Sequence, residues 1–177
     1  DVASIAMEQT DQRIKSRWAV IANAASPKIE PMDYRFSVRG GNIENGKQVY
    51  EAHVAAQCVR CHNGGGAGKQ VGPVLAGIGV RVDRDYLMQA ILEPSSVIAS
   101  GYQTVSVELN DGEAYDGVVV SEDASELVLG LPIGGTTEID KSQIHSRRAS
   151  QVSSMPSMKG ILTPHEVRDL IAYLASL

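Results

Sequence analysis

Two cysteines with two residues between them, followed at once by a histidine, are the residues of this chain best equipped for chemistry: Cys58-Val59-Arg60-Cys61-His62. Thiols at this spacing can each form a thioether to one vinyl group of a haem, and the adjacent imidazole can lie under the iron as its proximal nitrogen ligand. The run is the attachment signature of a c-type haem. Other uses of the same residues account for less. A dithiol redox pair belongs after a strand in a βαβ unit, whereas the segment from Asn45 to Gln57 reads as helix. A zinc site takes four ligands, and the chain holds no further cysteine. A structural disulfide would leave His62 without a role.

Haem iron has a second axial position, and its occupant separates the chemistries. A methionine opposite the histidine raises the potential and suits electron transfer, while an open position allows ligand binding or catalysis. The methionines are Met7, Met32, Met88, Met155 and Met158. Met155 is the favoured ligand, because it sits in a loop just before the last helix and is stiffened by Pro156. Met158 is its rival and His145 a minor alternative. On the proximal side, the carbonyl of Pro73 in Gly72-Pro73-Val74-Leu75 can accept the Nδ1 proton of His62, fixing the ring and strengthening its donation to iron.

Four segments must position these groups. Residues 1–40 carry a helix with Ile14, Trp18 and Ile21 on one face, ended by Pro27 and Pro31, then an extended connector. Residues 41–101 open on Asn42 as an N-cap, with Gly46, Val49, Tyr50 and His53 on one helical face before the cysteine motif. A glycine-rich turn, Asn63 to Gly68, follows the motif. Asp83 then caps a short helix with Leu87, Ala90 and Ile91, which stops at Pro94. Residues 102–148 change character. Tyr102 to Leu109 alternates polar and apolar, Asn110-Asp111-Gly112 is a hairpin signal, and further β-rich runs fall at 115–120, 126–131 and 136–139, as in a small antiparallel barrel or sheet. This block carries no haem, metal or nucleotide signal and reads as a structural or docking module. Residues 149–177 return to helix through the capping box Thr163-Pro164-His165-Glu166 and the apolar stripe Val167, Leu170, Ile171, Leu174.

Composition sets limits on function. The chain has 177 residues with 43% apolar content but only 5% aromatic; a buried porphyrin would supply the flat apolar surface that Phe and Trp usually provide. A net charge of −5 argues against a nucleic-acid partner, which needs a basic surface. No run is long and apolar enough to span a membrane. The sequence begins at Asp1, as expected of a processed protein or an excised domain. Haem attachment of this kind takes place outside the bacterial cytoplasmic membrane, which implies a periplasmic or otherwise exported location.

With these residues placed, the chain resembles a class I cytochrome c domain: helix, Cys58-x-x-Cys61-His62, Gly72-Pro73-x-Leu75, helix, Met155-Pro156, C-terminal helix. The resemblance implies that the first and last helices of that fold cross, with Gly46 and Tyr50 meeting Leu170 and Tyr173. It is closest to the haem-binding domain of the Pirellula/Verrucomicrobium type, through Gly40-Gly41-Asn42, Ala56-Gln57-Cys58, Val71-Gly72-Pro73, Ile91-Leu92-Glu93-Pro94-Ser95, Gly101-Tyr102-Gln103-Thr104, Asp111-Gly112 and the Met155-Pro156 loop. That family typically carries the domain at the C-terminus of large secreted proteins with dehydrogenase-like propellers, and has a β-rich insertion before the methionine loop. Ser157-Met158-Lys159 departs from its usual acidic turn, which keeps Met155 and Met158 both open.

The expectation is therefore a mainly α chain, a class I cytochrome c fold with a small antiparallel β-domain inserted before the distal methionine loop. It would hold one covalently attached haem c through Cys58, Cys61, His62 and Met155, with Pro73 orienting His62. It would transfer single electrons rather than catalyse, as acceptor for a fused dehydrogenase domain or a redox partner protein. Arg147 and Arg148 are candidates for pairing with haem propionates, and equally an ordinary solvated basic pair. The alternative is a ligand-binding or catalytic haem protein with an open or displaceable sixth site.

Overall fold

The computed structural model describes residues 11–25, 33–62, 71–132 and 134–177. Met7, Pro27, Pro31, Met32 and the glycine-rich turn 63–68 lie outside the described residues, as do the side chains of Trp18 and Ile21. The helices are α1 (Gln12–Ala25), α2 (Ile43–Ala52), α3 (Val59–His62), α4 (Arg84–Leu92) and α5 (Pro164–Leu174). The strands are β1 (Thr104–Leu109), β2 (Ala114–Glu122), β3 (Glu126–Gly130), β4 (Thr136–Asp140) and β5 (Ile144–Ala149). Among the described residues no helix is long and apolar enough to cross a membrane.

The expectation of a mainly α chain is overturned. Helix accounts for 35% and strand for 23%, and the strands form one five-stranded antiparallel sheet. The physical reason is that the sheet is a second packing unit with its own core, built from Val107, Leu109, Leu127, Leu129 and Ile139. Those residues come from the sheet alone, yet Leu127 and Leu129 are completely buried. A flat sheet cannot shield its own face, so this one curls around it. The order is β4-β3-β2-β1-β5. The β1–β2 hairpin turns at Gly112, whose φ of +89° favours glycine. A short 3-10 turn, Lys141–Gln143, carries the chain from one edge strand to the other.

The helical core gathers Leu87, Ile91 and Leu92 of α4, Val167, Leu170, Ile171 and Leu174 of α5, and Tyr34, Ala56, Met158 and Leu162. Helix α2 starts where Asn42 accepts a hydrogen bond from Asn45 N–H. Helix α5 starts in a complete capping box, Thr163 with Glu166. The two cross at Gly46. A Cβ there would stand 1.9 Å from the carbonyl oxygen of Asp169 and 2.8 Å from Tyr173 Cβ, so only a residue without a side chain lets the helices meet. The contact is fastened by Asn42 N–H donating to Asp169 Oδ1 (2.9 Å) and by the tilted ring pair Tyr50–Tyr173, with centroids 5.6 Å apart. Residues 33–40 form turns rather than an extended connector: Asp33 accepts from Arg35 N–H, and Tyr34 Oη donates to the Leu162 carbonyl (2.7 Å).

Gly46→Ala gains about 1 kcal/mol of helix propensity, but it must wedge apart two helices whose contact atom is backbone. The clash dominates, and a net loss of about 2 kcal/mol or more is expected in denaturant unfolding. An unchanged midpoint would contradict the crossing as described.

Candidate functional site

Helix α2 ends at Ala52, short of Gln57, because the His53 ring turns back on the chain: its Nδ1 accepts Ala56 N–H (3.0 Å). Its Nε2 faces Glu166 Oε1 at 3.6 Å. His53 is thus tied into the α2–α5 end of the fold. The chain then passes through Gln57, a non-glycine residue at φ +46°. Its side chain is held on both ends, the amide donating to the Val54 carbonyl and Oε1 accepting from Arg60. This tight turn launches α3, in which His62 N–H bonds the Cys58 carbonyl (3.0 Å) and Cys61 N–H the same oxygen (3.2 Å). Helical spacing of i, i+3 and i+4 places Cys58, Cys61 and His62 on one face.

The residues after the motif close on the imidazole. Gly72 N–H donates to the Cys61 carbonyl (3.1 Å), and a Cβ on Gly72 would stand 2.8 Å from His62 Cε1 and 2.9 Å from Nδ1. A glycine is therefore required for the loop to lie along the ring. His62 Nδ1 is 2.8 Å from the Pro73 carbonyl oxygen. A carbonyl only accepts, so Nδ1 carries the proton and Nε2 keeps its lone pair. Tyr50 Oη donates to the His62 carbonyl, tying the motif back to the α2–α5 crossing. Burial holds the His62 pKa below its ordinary value, partly offset by the bond to Pro73, so the ring is neutral, the state a metal ligand needs. Burial likewise raises the thiols of Cys58 and Cys61.

The helical core that Cys58 joins has a fringe of partly exposed apolar residues. Cys58, Leu75, Ile78, Val82 and Met88 pack on it yet remain partly exposed. Two thiols, a neutral imidazole whose Nε2 keeps its lone pair, and partly exposed apolar side chains fit a haem attached through the cysteines.

The two methionines before α5 are placed differently. Met158 is 3% exposed inside the helical core, and its N–H bonds the Ile91 carbonyl (3.0 Å). Met155 is half-buried in the loop itself, with its N–H on Ser153 Oγ (3.1 Å). That loop leans on α4 and its C-terminal end through Ser157 Oγ to the Leu92 carbonyl and Ser153 N–H to Ser95 Oγ. His145 lies exposed on β5. Arg147 is engaged on the sheet by Glu122, which also pairs with Lys141 at 2.9 Å; these cations hold the Glu122 carboxyl below its ordinary range. Arg148 is exposed on the same strand. Sequence reasoning did not foresee the Tyr50–His62 bond, nor the contacts the sheet makes beside the motif. Arg60 approaches Gly134, and Val71 packs on Gly130, where a Cβ would stand 2.7 Å from Val71 Cγ2. Glycines inside or beside strands were the available signal.

Residues 43–113 match the family model of cytochrome c. The match supports a cytochrome c domain over that stretch, which is less than half of the chain. Domains of this family carry covalently bound haem c, typically act with redox partners and are usually exported or periplasmic. The matched stretch runs from α2 to the β1–β2 turn, so Met155 and α5 lie beyond it. No curated protein matches the sequence.

A neutral, half-buried His62 has a sign that can be checked in the haem-free chain. The folded-state pKa is below the unfolded value of 6.5, so the unfolded chain binds the proton first as pH falls. Stability is full above that value, is lost as pH drops through the folded pKa, and then levels. His62→Gln removes this contribution. Denaturant midpoints measured between pH 8 and 5 should fall more steeply for the wild type than for the variant; parallel profiles would contradict a half-buried neutral ring.

Proposed function

We propose that the chain is a mono-haem c-type cytochrome that transfers single electrons. Cys58 and Cys61 hold the haem through two thioethers, His62 Nε2 is the proximal ligand and Met155 the distal one. The observation that carries this reading is the His62 Nδ1–Pro73 bond, set against two thiols on the same helical face. The Pro73 carbonyl fixes the tautomer and orientation of the ring and makes Nε2 a better donor. Gly72 allows that loop to lie flat on the imidazole, and Tyr50 anchors the backbone beneath it. When bound, the haem supplies an iron that stores and releases one electron.

Met155 is preferred to Met158 because its side chain is half-buried in a loop pinned at several points, whereas Met158 fills the helical core, where a thioether is worth more as packing. Residues 41–101 and 149–177 form the cytochrome parts, with 102–148 as the inserted β-rich unit and 1–40 leading in. The motifs and the β-rich segment before the methionine loop support a relationship to the Pirellula/Verrucomicrobium-type haem-binding domain. On that reading the electron donor is a dehydrogenase, fused or separate, outside the cytoplasm.

The ferric protein should show the methionine-to-iron charge-transfer band in the near-infrared. The band should vanish in Met155→Ala and persist in Met158→Leu. The opposite pattern would move the ligand to Met158, and a high-spin spectrum in the unmutated protein would favour an open iron with ligand-binding or catalytic chemistry.

A further inference from the structure

Thr104, Val118 and Gly130 are direct cross-strand neighbours on β1, β2 and β3. Side chains alternate along a strand, so this row faces away from the sheet's own core, which takes Val105, Val107 and Leu129. An outward row on a small sheet is ordinarily solvated. Here Thr104 is 5% and Val118 1% exposed. The two ends of the row meet the two halves of the site. Gly130 seats Val71, the residue before Gly72-Pro73. Thr104 Oγ1 bonds Ser154 Oγ at 2.8 Å, and Ser154 immediately precedes Met155. Adjacent strands are about 4.8 Å apart, so the row spans roughly 10 Å from one loop to the other.

The loop leaving β5 is tethered along its length. Ser150 N–H donates to the Thr104 carbonyl (2.8 Å), Val152 N–H to Ser150 Oγ (3.0 Å) and Ser153 N–H to Ser95 Oγ (3.1 Å). Of these tethers, only the Thr104–Ser154 bond joins a side chain of the sheet to the residue beside Met155. It is also shielded from water by the burial of Thr104, so solvent cannot readily replace it.

We propose that the inserted sheet is a brace for the distal iron ligand, and that Thr104 is the positioning residue through which it acts. This rests on the assignment of Met155 as that ligand. The sheet's hydrogen-bonded ladder keeps the Val71 end and the Ser154 end of the row at a fixed separation. Thr104 thereby limits the swing of the methionine loop that must precede replacement of the thioether by another ligand. Removing residues 102–148 would on this account disturb ligation itself, and not only the docking of a partner.

The test is the rate at which imidazole displaces the charge-transfer band of the ferric haem-loaded protein. Thr104→Val keeps the shape and removes the hydroxyl; Ser154→Ala removes the other partner from a half-buried loop position and spares the sheet. Each should speed displacement about fivefold, the factor carried by one neutral hydrogen bond. Thr104→Ser should restore the slow rate, and the double variant should be no faster than either single one, because both delete the same bond. Wild-type rates in both Thr104→Val and Ser154→Ala overturn the brace while leaving Met155 as ligand. A band that survives in Met155→Ala overturns the ligand assignment and the brace together, so the two failures are told apart.

Discussion

The helical part of the molecule is held by the backbone-to-backbone approach of α2 and α5 at Gly46. A tight turn joins helix α2 to the cysteine motif, and α5 follows the methionine loop. Where they cross, Asp169 presents its carbonyl to the place a side chain would occupy and its carboxylate to Asn42. More than a hundred residues of chain separate the partners, so closing this contact carries a loop entropy that local helix propensity cannot offset. The apolar stripe of α5, fully buried at Val167 and Ile171, supplies that stabilisation. Tyr50 then connects the crossing to the site, with its ring against Tyr173 and its hydroxyl on the His62 carbonyl.

The sheet is built on a different principle. It contains its own core, which explains how so long a segment can stand between α4 and the methionine loop without disturbing the helical packing. A unit that buries its own apolar face asks little of its host. What it does share with the host is an outer row of small and β-branched residues, and Gly130 there keeps room for Val71. The helical and β units therefore meet next to the site rather than at a remote edge. Electron-transfer sites gain from such rigidity, because ligands held in place move little between oxidation states.

The local geometry of the candidate site was legible in the sequence where its residues lie close together. Five consecutive residues name the thiols and the imidazole, and Gly72-Pro73 follows within a few positions. Caps were equally readable: Asn42, Asp83 and Thr163 each accept the bond their type and position suggest. The balance of fold classes was not. Alternation in 104–109 and the Asp111-Gly112 turn pointed to strands, yet a resemblance resting on helical motifs set the weight toward α. β5, with the sequence Ile-His-Ser-Arg-Arg-Ala, shows no apolar alternation because it is an edge strand whose cations, such as Arg147, serve Glu122. The end of α2 was misjudged because the brake is a histidine side chain folding onto Ala56, a tertiary event without a turn signature. Contacts such as Thr104–Ser154 join residues fifty apart and leave no local pattern to read.

On the proposed reading a single covalently held haem cycles between two oxidation states with both axial positions filled. The direct measurement is spectroelectrochemistry on the purified haem-loaded protein, with its intact mass taken after denaturation. The expected result is a mass increased by one haem, a reversible one-electron transition, and a low-spin reduced form that binds carbon monoxide slowly. A chain whose haem is lost on denaturation, or a reduced iron that takes carbon monoxide at once, would contradict it.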